Sequence, residues 1–244
     1  MKETLLTVLE NTRLADGIYR LRLAGDTSAI TAPGQFVNLK LSGFFLRRPI
    51  SVCDWENGEV TLIYKVLGHG TEAMTGMAVG TALDVLTGLG NGFDLSRSGE
   101  HPLLVGGGVG SPPRYGLARR LTAQGKCVTA VLGFNRKSEI FLAEEFRALG
   151  AEVVIATADG SVGLKGLVTD GMAAVSDYTY LYTCGPEPML KAVYADCKTS
   201  GQFSFEERMG CGFGACMGCS CETKYGNKRI CKDGPVLEKE EIVW

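Results

Sequence analysis

Apolar and polar positions alternate in several short stretches near the start of the chain. Every second residue is apolar in Tyr19-Arg20-Leu21-Arg22-Leu23 and again in Val37-Asn38-Leu39-Lys40-Leu41. That is the period of a strand with one buried face. Val60-Thr61-Leu62-Ile63-Tyr64-Lys65-Val66 adds a third strand, rich in β-branched and aromatic residues. Asp16-Gly17, Pro33-Gly34, Asn57-Gly58 and Asn91-Gly92 punctuate this region as turns. Residues 1–98 therefore predict a small antiparallel β-barrel. A short helix is expected to start near Thr71, with Thr71 as its capping residue.

From about residue 99 the rhythm changes. Leu103-Leu104-Val105 is a compact apolar strand running into Gly106-Gly107-Gly108. Pro112 and Pro113 open a helix that ends at Gly125, with proline at the start and glycine past the end. A strand over 128–134 follows, then a helix capped by Ser138 and stopping at Gly150, and a strand over 152–157. A helix near 166–175, a strand over 178–183 and a helix from Glu187 to Ser200 complete residues 99–200. Strands alternating with helices predict an α/β nucleotide-binding domain with a parallel sheet covered on both faces. Residues 201–244 are short, rich in glycine and cysteine, and unable to build much core alone. The fold class is thus α+β multidomain: barrel, parallel-sheet domain and small C-terminal metal-binding domain.

Composition narrows the function. Net charge is -2, so no basic footprint points to nucleic acid or an anionic membrane. No apolar run approaches the ~18 residues of a membrane span, and no signal peptide is evident, so a cytoplasmic protein with reduced thiols is expected. The nine cysteines and 33 glycines are the unusual feature. Cys53, Cys127, Cys184 and Cys197 are scattered and are expected to be small buried residues. Cys211-x4-Cys216-x2-Cys219, followed by Cys231, has the spacing of a plant-type [2Fe–2S] site. The loop Gly210–Cys219 has small residues almost throughout, which lets its backbone close around charged sulfurs. Structural zinc is the alternative, although zinc sites favour two short paired motifs and only one is present. Cys221 is the spare, with a structural role expected.

Two further groups suggest cofactors. In Arg47-Arg48-Pro49-Ile50-Ser51, an arginine and a hydroxyl three residues on can meet a pyrophosphate and a flavin from one strand. Gly68-His69-Gly70-Thr71 leads into the short helix, where backbone N–H groups suit phosphate. His69 reads as a phosphate neighbour and His101 as a surface residue. The loop Gly108-x-Gly110-x-x-Pro113 stands at a strand-to-helix turn, and Cys184-Gly185-Pro186 follows the last strand of the same sheet. Together they favour a nicotinamide dinucleotide site. Asn135-Arg136-Lys137 leaves NAD and NADP both open, since basic residues there could accept the extra phosphate.

These motifs, in this order, resemble the ferredoxin–NADP reductase superfamily. Within it the chain is similar to the electron-transfer subunits of NAD-dependent (class B) dihydroorotate dehydrogenase. The matching stretches are Pro33-Gly34-Gln35-Phe36-Val37, Arg47–Ser51, Gly68–Thr71, Gly88–Phe93, Leu104–Gly110, Thr157–Ser161, Cys184–Pro186 and Glu207–Cys216. The resemblance covers essentially the whole chain. The resemblance implies FAD on Arg48, Pro49, Ile50, Ser51, Tyr64, Lys65, Gly70 and Thr71. It implies NAD on Gly108, Gly110, Pro113, Cys184, Gly185 and Pro186, and a [2Fe–2S] cluster on Cys211, Cys216, Cys219 and Cys231. It also implies an FMN-containing catalytic partner that oxidises dihydroorotate in pyrimidine biosynthesis, in a heterotetramer of two of each chain, with no catalytic base on this chain. Ile50 stands where the superfamily carries an aromatic residue, and Arg114 where an apolar residue is expected. The alternatives are a subunit of an NAD(P)H–ferredoxin or sulfide oxidoreductase and, from another class, a non-redox zinc-binding scaffold.

Overall fold

A computed structural model describes all 244 residues. The first region forms β1 (Lys2–Ala15), β2 (Ile18–Gly25), β3 (Phe36–Leu39), β4 (Arg48–Glu56), β5 (Glu59–Lys65), helix α1 (His69–Thr75) and β6 (Ala82–Leu89). The strands close into an antiparallel barrel in the order β1-β2-β5-β4-β3-β6, which leaves no free edge. Leu21, Leu23, Val37, Leu39, Val60 and Leu62 are fully buried inside it, the inward half of each alternation. Strands β1 and β6 escape the alternation signal. Leu5 and Leu6 are adjacent in β1, and its register shifts between Val8 and Glu10; Leu6 and Val8 point inward while Leu5 and Leu9 stay exposed. Buried Thr87 blurs the pattern in β6. Thr71 is the third residue of α1 and not its cap. Its Oγ1 accepts from the N–H groups of Leu67 and Gly68 at 2.9 and 3.2 Å, closing the turn from inside the helix.

The second unit contains β7 (Pro102–Gly107), α2 (Pro112–Ala123), β8 (Thr129–Phe134), α3 (Ala143–Ala148), β9 (Glu152–Thr157), β10 (Leu164–Lys165), α4 (Val168–Ala173), β11 (Tyr180–Cys184) and α5 (Glu187–Asp196). The helix expected from Ser138 begins instead at Ala143, after a single 3-10 turn at Lys137–Glu139. Phe141 and Leu142 both sink into the core, and Leu142 takes a φ of 63° to do so, which no continuous helix permits. The C-terminal residues form β12 (Gly201–Ser204), a hairpin of β13 (Ser220–Thr223) and β14 (Gly226–Arg229), and β15 (Val236–Glu238). The sheet order is β10-β9-β8-β7-β11-β12-β15, parallel throughout except for β15. Strands β12 and β15 thus tie residues 201–244 into the sheet.

Helices α2 and α3 cover one face of the sheet, with Leu117, Leu121 and Phe146 in a core shared with Cys53 and Ile63 of the barrel. On the other face α4 and α5 pack Met172, Leu190 and Val193 in a core that also holds Cys219, Ile230 and Cys231 of the C-terminal region. Barrel and sheet are joined through α2. Arg119 and Arg120 reach Asp54 of β4 at 2.9 and 3.0 Å, and the Arg120 guanidinium lies 3.6 Å above the Trp55 ring centre. No helix is long and apolar enough to cross a membrane.

Candidate functional site

The barrel, the sheet and the C-terminal region all open onto one cleft. Pro49, Ile50 and Ser51 of β4, Tyr64 and Lys65 of β5, and Thr71 of α1 line it from the barrel. Val109 and Cys184 line it from the carboxyl end of the sheet, and Ser204, Phe205, Glu206, Glu207 and Met209 from the segment running to the cysteine loop. Of the eight residues expected to hold flavin, six line this cleft directly. Arg48 and Gly70 meet beside it: a Cβ at Gly70 would lie 2.0 Å from Arg48 Nε, so glycine lets the guanidinium rest on the helix backbone. Arg48 also lies 4.7 Å over the Phe44 ring. The Tyr64 hydroxyl donates to Asn11 Oδ1 at 3.1 Å, away from the cleft, and burial pushes its pKa up to about 12. Arg47 faces elsewhere, paired with Glu3 and Asp84 at 2.9 Å each. His69 and His101 are exposed.

The nucleotide motifs converge at the sheet edge, where β7 and β11 pair Gly106 with Cys184. A Cβ on Gly110 would sit 2.1 Å from the Cys184 carbonyl oxygen, so the two loops touch only because Gly110 has no side chain. Pro113 is buried at the start of α2, and Gly185 and Pro186 lead into α5. Burial pushes the Cys184 thiol up to about 12, with Glu206 acting in the same direction, so it stays neutral. Glu206 keeps solvent contact, yet the cleft wall desolvates its carboxyl and raises its pKa above the usual range. Beyond β8, Asn135 donates to Glu139 at 2.8 Å and Arg136 pairs with Glu139 at 3.2 Å. Glu139 thus pairs with one of the two basic residues that left NADP open, Arg136, while Lys137 makes no ion pair.

The four spaced cysteines form two pairs. Cys211 and Cys216 face each other across a loop whose amides point at sulfur. Ala215 N lies 3.2 Å from Cys211 Sγ, Phe213 N and Cys216 N 3.5 Å from it, and Cys211 N lies 3.5 Å from Cys216 Sγ. Cys219 and Cys231 form the second pair, with Cys231 N 3.4 Å from Cys219 Sγ. Burial raises the Cys211 thiol, but the amides of Phe213, Cys216 and Ala215 together with the Cys216 side chain outweigh it, leaving about 6. Burial, then the Cys219 neighbour, pushes Cys231 up to about 12. Amides aimed at one sulfur are what a negatively charged iron–sulfur cluster requires. The four thiols are thus presented as two pairs, one on the loop and one buried beneath it. The loop is held from both sides: Asn38 Nδ2 donates to the Cys211 carbonyl at 3.2 Å and Arg229 Nη1 to the Gly214 carbonyl at 2.9 Å. Gly212 takes a φ of 77° and presses on Asn38.

Cys221 lies outside these pairs on β13, and burial raises its thiol above the usual range. Cys53, Cys184 and Cys197 are buried, but Cys127 is exposed, contrary to expectation, because it sits in the turn after α2 before β8 enters the sheet. The cleft residues missed in the sequence include Phe36, Ser204, Phe205, Glu206 and Met209. Phe36 and Met209 lay inside noted stretches; Ser204, Phe205 and Glu206 belong to a connection whose place in the cleft depends on β12 joining β11.

Comparison with known proteins agrees with this architecture. Residues 206–243 match the iron–sulfur cluster binding domain of dihydroorotate dehydrogenase B. The chain is 45% identical to the dihydroorotate dehydrogenase B (NAD(+)) electron transfer subunit of Shouchella clausii, over 99% of this chain and 98% of that one. It is 44% identical to the same subunit of Bacillus pumilus, again over 99% and 98%. Among solved structures, the NADH-dependent reduced ferredoxin-NADP oxidoreductase aligns with a TM-score of 0.89 at 28% identity, covering 99% of this chain and 90% of that one. A ferredoxin NADP+ reductase from Neisseria gonorrhoeae, with bound FAD and NADP, shares the fold at a TM-score of 0.70 and 16% identity, over 80% of this chain and 90% of that one.

Proposed function

Because the chain belongs to the family of dihydroorotate dehydrogenase B (NAD+) electron-transfer subunits, we propose that it carries electrons between a dihydroorotate-oxidising partner and NAD+. The carrying observation is the single cleft shared by barrel, sheet edge and cysteine segment. FAD, a [2Fe–2S] cluster and NAD are its redox groups. When bound, they supply complementary chemistry: nicotinamide exchanges a hydride, the cluster passes single electrons, and flavin can do both.

The residues divide that work. Arg48, Pro49, Ile50, Ser51, Tyr64, Lys65, Gly70 and Thr71 hold FAD at the barrel mouth. Ser51 offers a hydroxyl inside the cleft, and Ile50 offers an apolar surface in place of an aromatic ring. Gly108, Gly110, Pro113, Cys184, Gly185 and Pro186 seat NAD at the sheet edge. Neutral Cys184 borders both sites and can hold the nicotinamide end against the flavin without adding charge. The Arg136–Glu139 pair supports NAD over NADP. Cys211, Cys216, Cys219 and Cys231 hold the cluster. The functional division is 1–98 for FAD, 99–200 for NAD and 201–244 for the cluster.

The partner is an FMN-containing catalytic subunit that oxidises dihydroorotate, assembled with this chain as a cytoplasmic heterotetramer of two of each. Support for its docking near the cluster comes from exposure of Cys216, Phe213 and Met217 on one loop. The assay is direct. The purified chain should oxidise NADH with an artificial acceptor yet form no orotate; orotate from this chain alone would refute the division of labour. The closest alternative, a subunit feeding a ferredoxin, draws on the 28% identical oxidoreductase, but identity to dihydroorotate dehydrogenase subunits reaches 45%.

A further inference from the structure

Arg114 is fully buried at the start of α2, where the sequence led us to expect an apolar side chain. Its Nε donates to the Gly110 carbonyl at 3.1 Å and its Nη2 to the Ser111 hydroxyl at 3.2 Å. Its Nη1 has no partner. The guanidinium lies on the backbone of Gly106, where a Cβ would stand 2.2 Å from Nη2. It therefore sits beneath the whole loop 106–111. Burial lowers its pKa to about 10, and the only titratable group acting on it is the neutral Cys184 thiol. The cation persists at neutral pH with no carboxylate to balance it.

A buried cation without a counter-ion is strongly unfavourable. The loop above it also lacks donors that such loops usually offer. Pro112 and Pro113 have no N–H, and the Arg114 amide is already bonded to the Ser111 carbonyl at 3.2 Å. A pyrophosphate at this helix start would meet fewer backbone donors than usual. We propose that Arg114 is a positioning residue for the dinucleotide: from beneath the loop it fixes Gly110 and Ser111, and its buried charge is balanced by the NAD pyrophosphate. The proposal rests on the assignment of this loop to NAD.

The test uses the oxidised full-length chain loaded with flavin and cluster, titrated with NAD+ by calorimetry and by thermal unfolding. Arg114→Gln keeps a donor for the Gly110 carbonyl but removes the charge, and Arg114→Met removes both. Each should weaken NAD+ binding about tenfold, the size of one charge-assisted contact. Arg114→Met should also raise the ligand-free Tm by about 3 °C or more, because the unbalanced charge is gone. Arg114→Lys should stay within about threefold of wild-type affinity, since it retains the charge. Either neutral variant binding NAD+ as tightly as wild type would overturn the proposal, as would Arg114→Lys binding as weakly as the neutral pair. Failure of the wild-type chain to bind NAD+ at all would instead strike the loop assignment, and this proposal with it.

Discussion

Replacing Gly212 by alanine should cost this protein its cluster. The residue has a φ of 77°, and its added Cβ would lie 2.4 Å from Asn38 Nδ2. The conformation alone costs an L-residue about 1–2 kcal/mol. Asn38 cannot yield cheaply. It is 1% exposed, and the atom in the way donates to the Cys211 carbonyl at 3.2 Å. Displacing it strands a buried amide, worth about 1–3 kcal/mol. The sum, about 2–5 kcal/mol, is large against a stability of about 5–15 kcal/mol and falls on the loop that presents Cys211 and Cys216. Gly17→Ala is the control, since its φ is 67° and nothing lies within 4 Å of the new Cβ. Iron and acid-labile sulfide per chain, visible absorption and thermal unfolding should separate the two variants. Gly212→Ala with a full cluster and the Tm of Gly17→Ala would refute the account of how Asn38 and the loop fit together.

Three other outcomes follow from the same geometry. Cys216→Ser should lose most cluster absorbance while keeping flavin, whereas Cys221→Ser should retain both; equal loss in the two would reassign the ligands. Gly110→Ala, with its Cβ 2.1 Å from the Cys184 oxygen, should raise the KM for NADH about tenfold or more without disturbing flavin or iron content, and unchanged steady-state kinetics would contradict the loop contact. Asp54→Ala removes the acceptor shared by Arg119 and Arg120, and should destabilise the chain by about 1–2 kcal/mol, read as a drop in Tm of about 2–8 °C.

Much of this molecule was legible where a single residue type carries the requirement. Spacing singled out Cys211, Cys216, Cys219 and Cys231, which the fold brings together as two pairs, and the strand-to-helix glycines singled out the loop above α2, which the fold sets against Cys184. Strands β2, β3 and β5 were legible because their alternation is clean. What stayed hidden depends on tertiary pairing. Strand β1 is masked by adjacent Leu5 and Leu6, and only its pairing with β2 and β6 selects which of them faces inward. The late start of α3 follows from burial of Phe141 and Leu142 and not from any local cap. Phe205, Glu206 and Met209 enter the cleft because β12 pairs with β11 and β15 pairs with β12, contacts that bring Gly201 to Leu181 and Glu238 to Gln202, 20 and 36 residues apart in the chain. Arg114 shows the reverse case: the sequence marked it as out of place, and the structure shows a cation with an unmet need.

The central claim is that this chain links a dihydroorotate-oxidising partner to NAD+. Its most direct measurement is NAD+ reduction by dihydroorotate in an anaerobic mixture of the purified catalytic partner and this chain, loaded with flavin and cluster. NADH should form only when both chains are present, and Cys216→Ser in this chain should abolish it while leaving NADH oxidation by artificial acceptors intact. NADH formation by the partner alone, or undiminished transfer through the Cys216→Ser chain, would contradict the account.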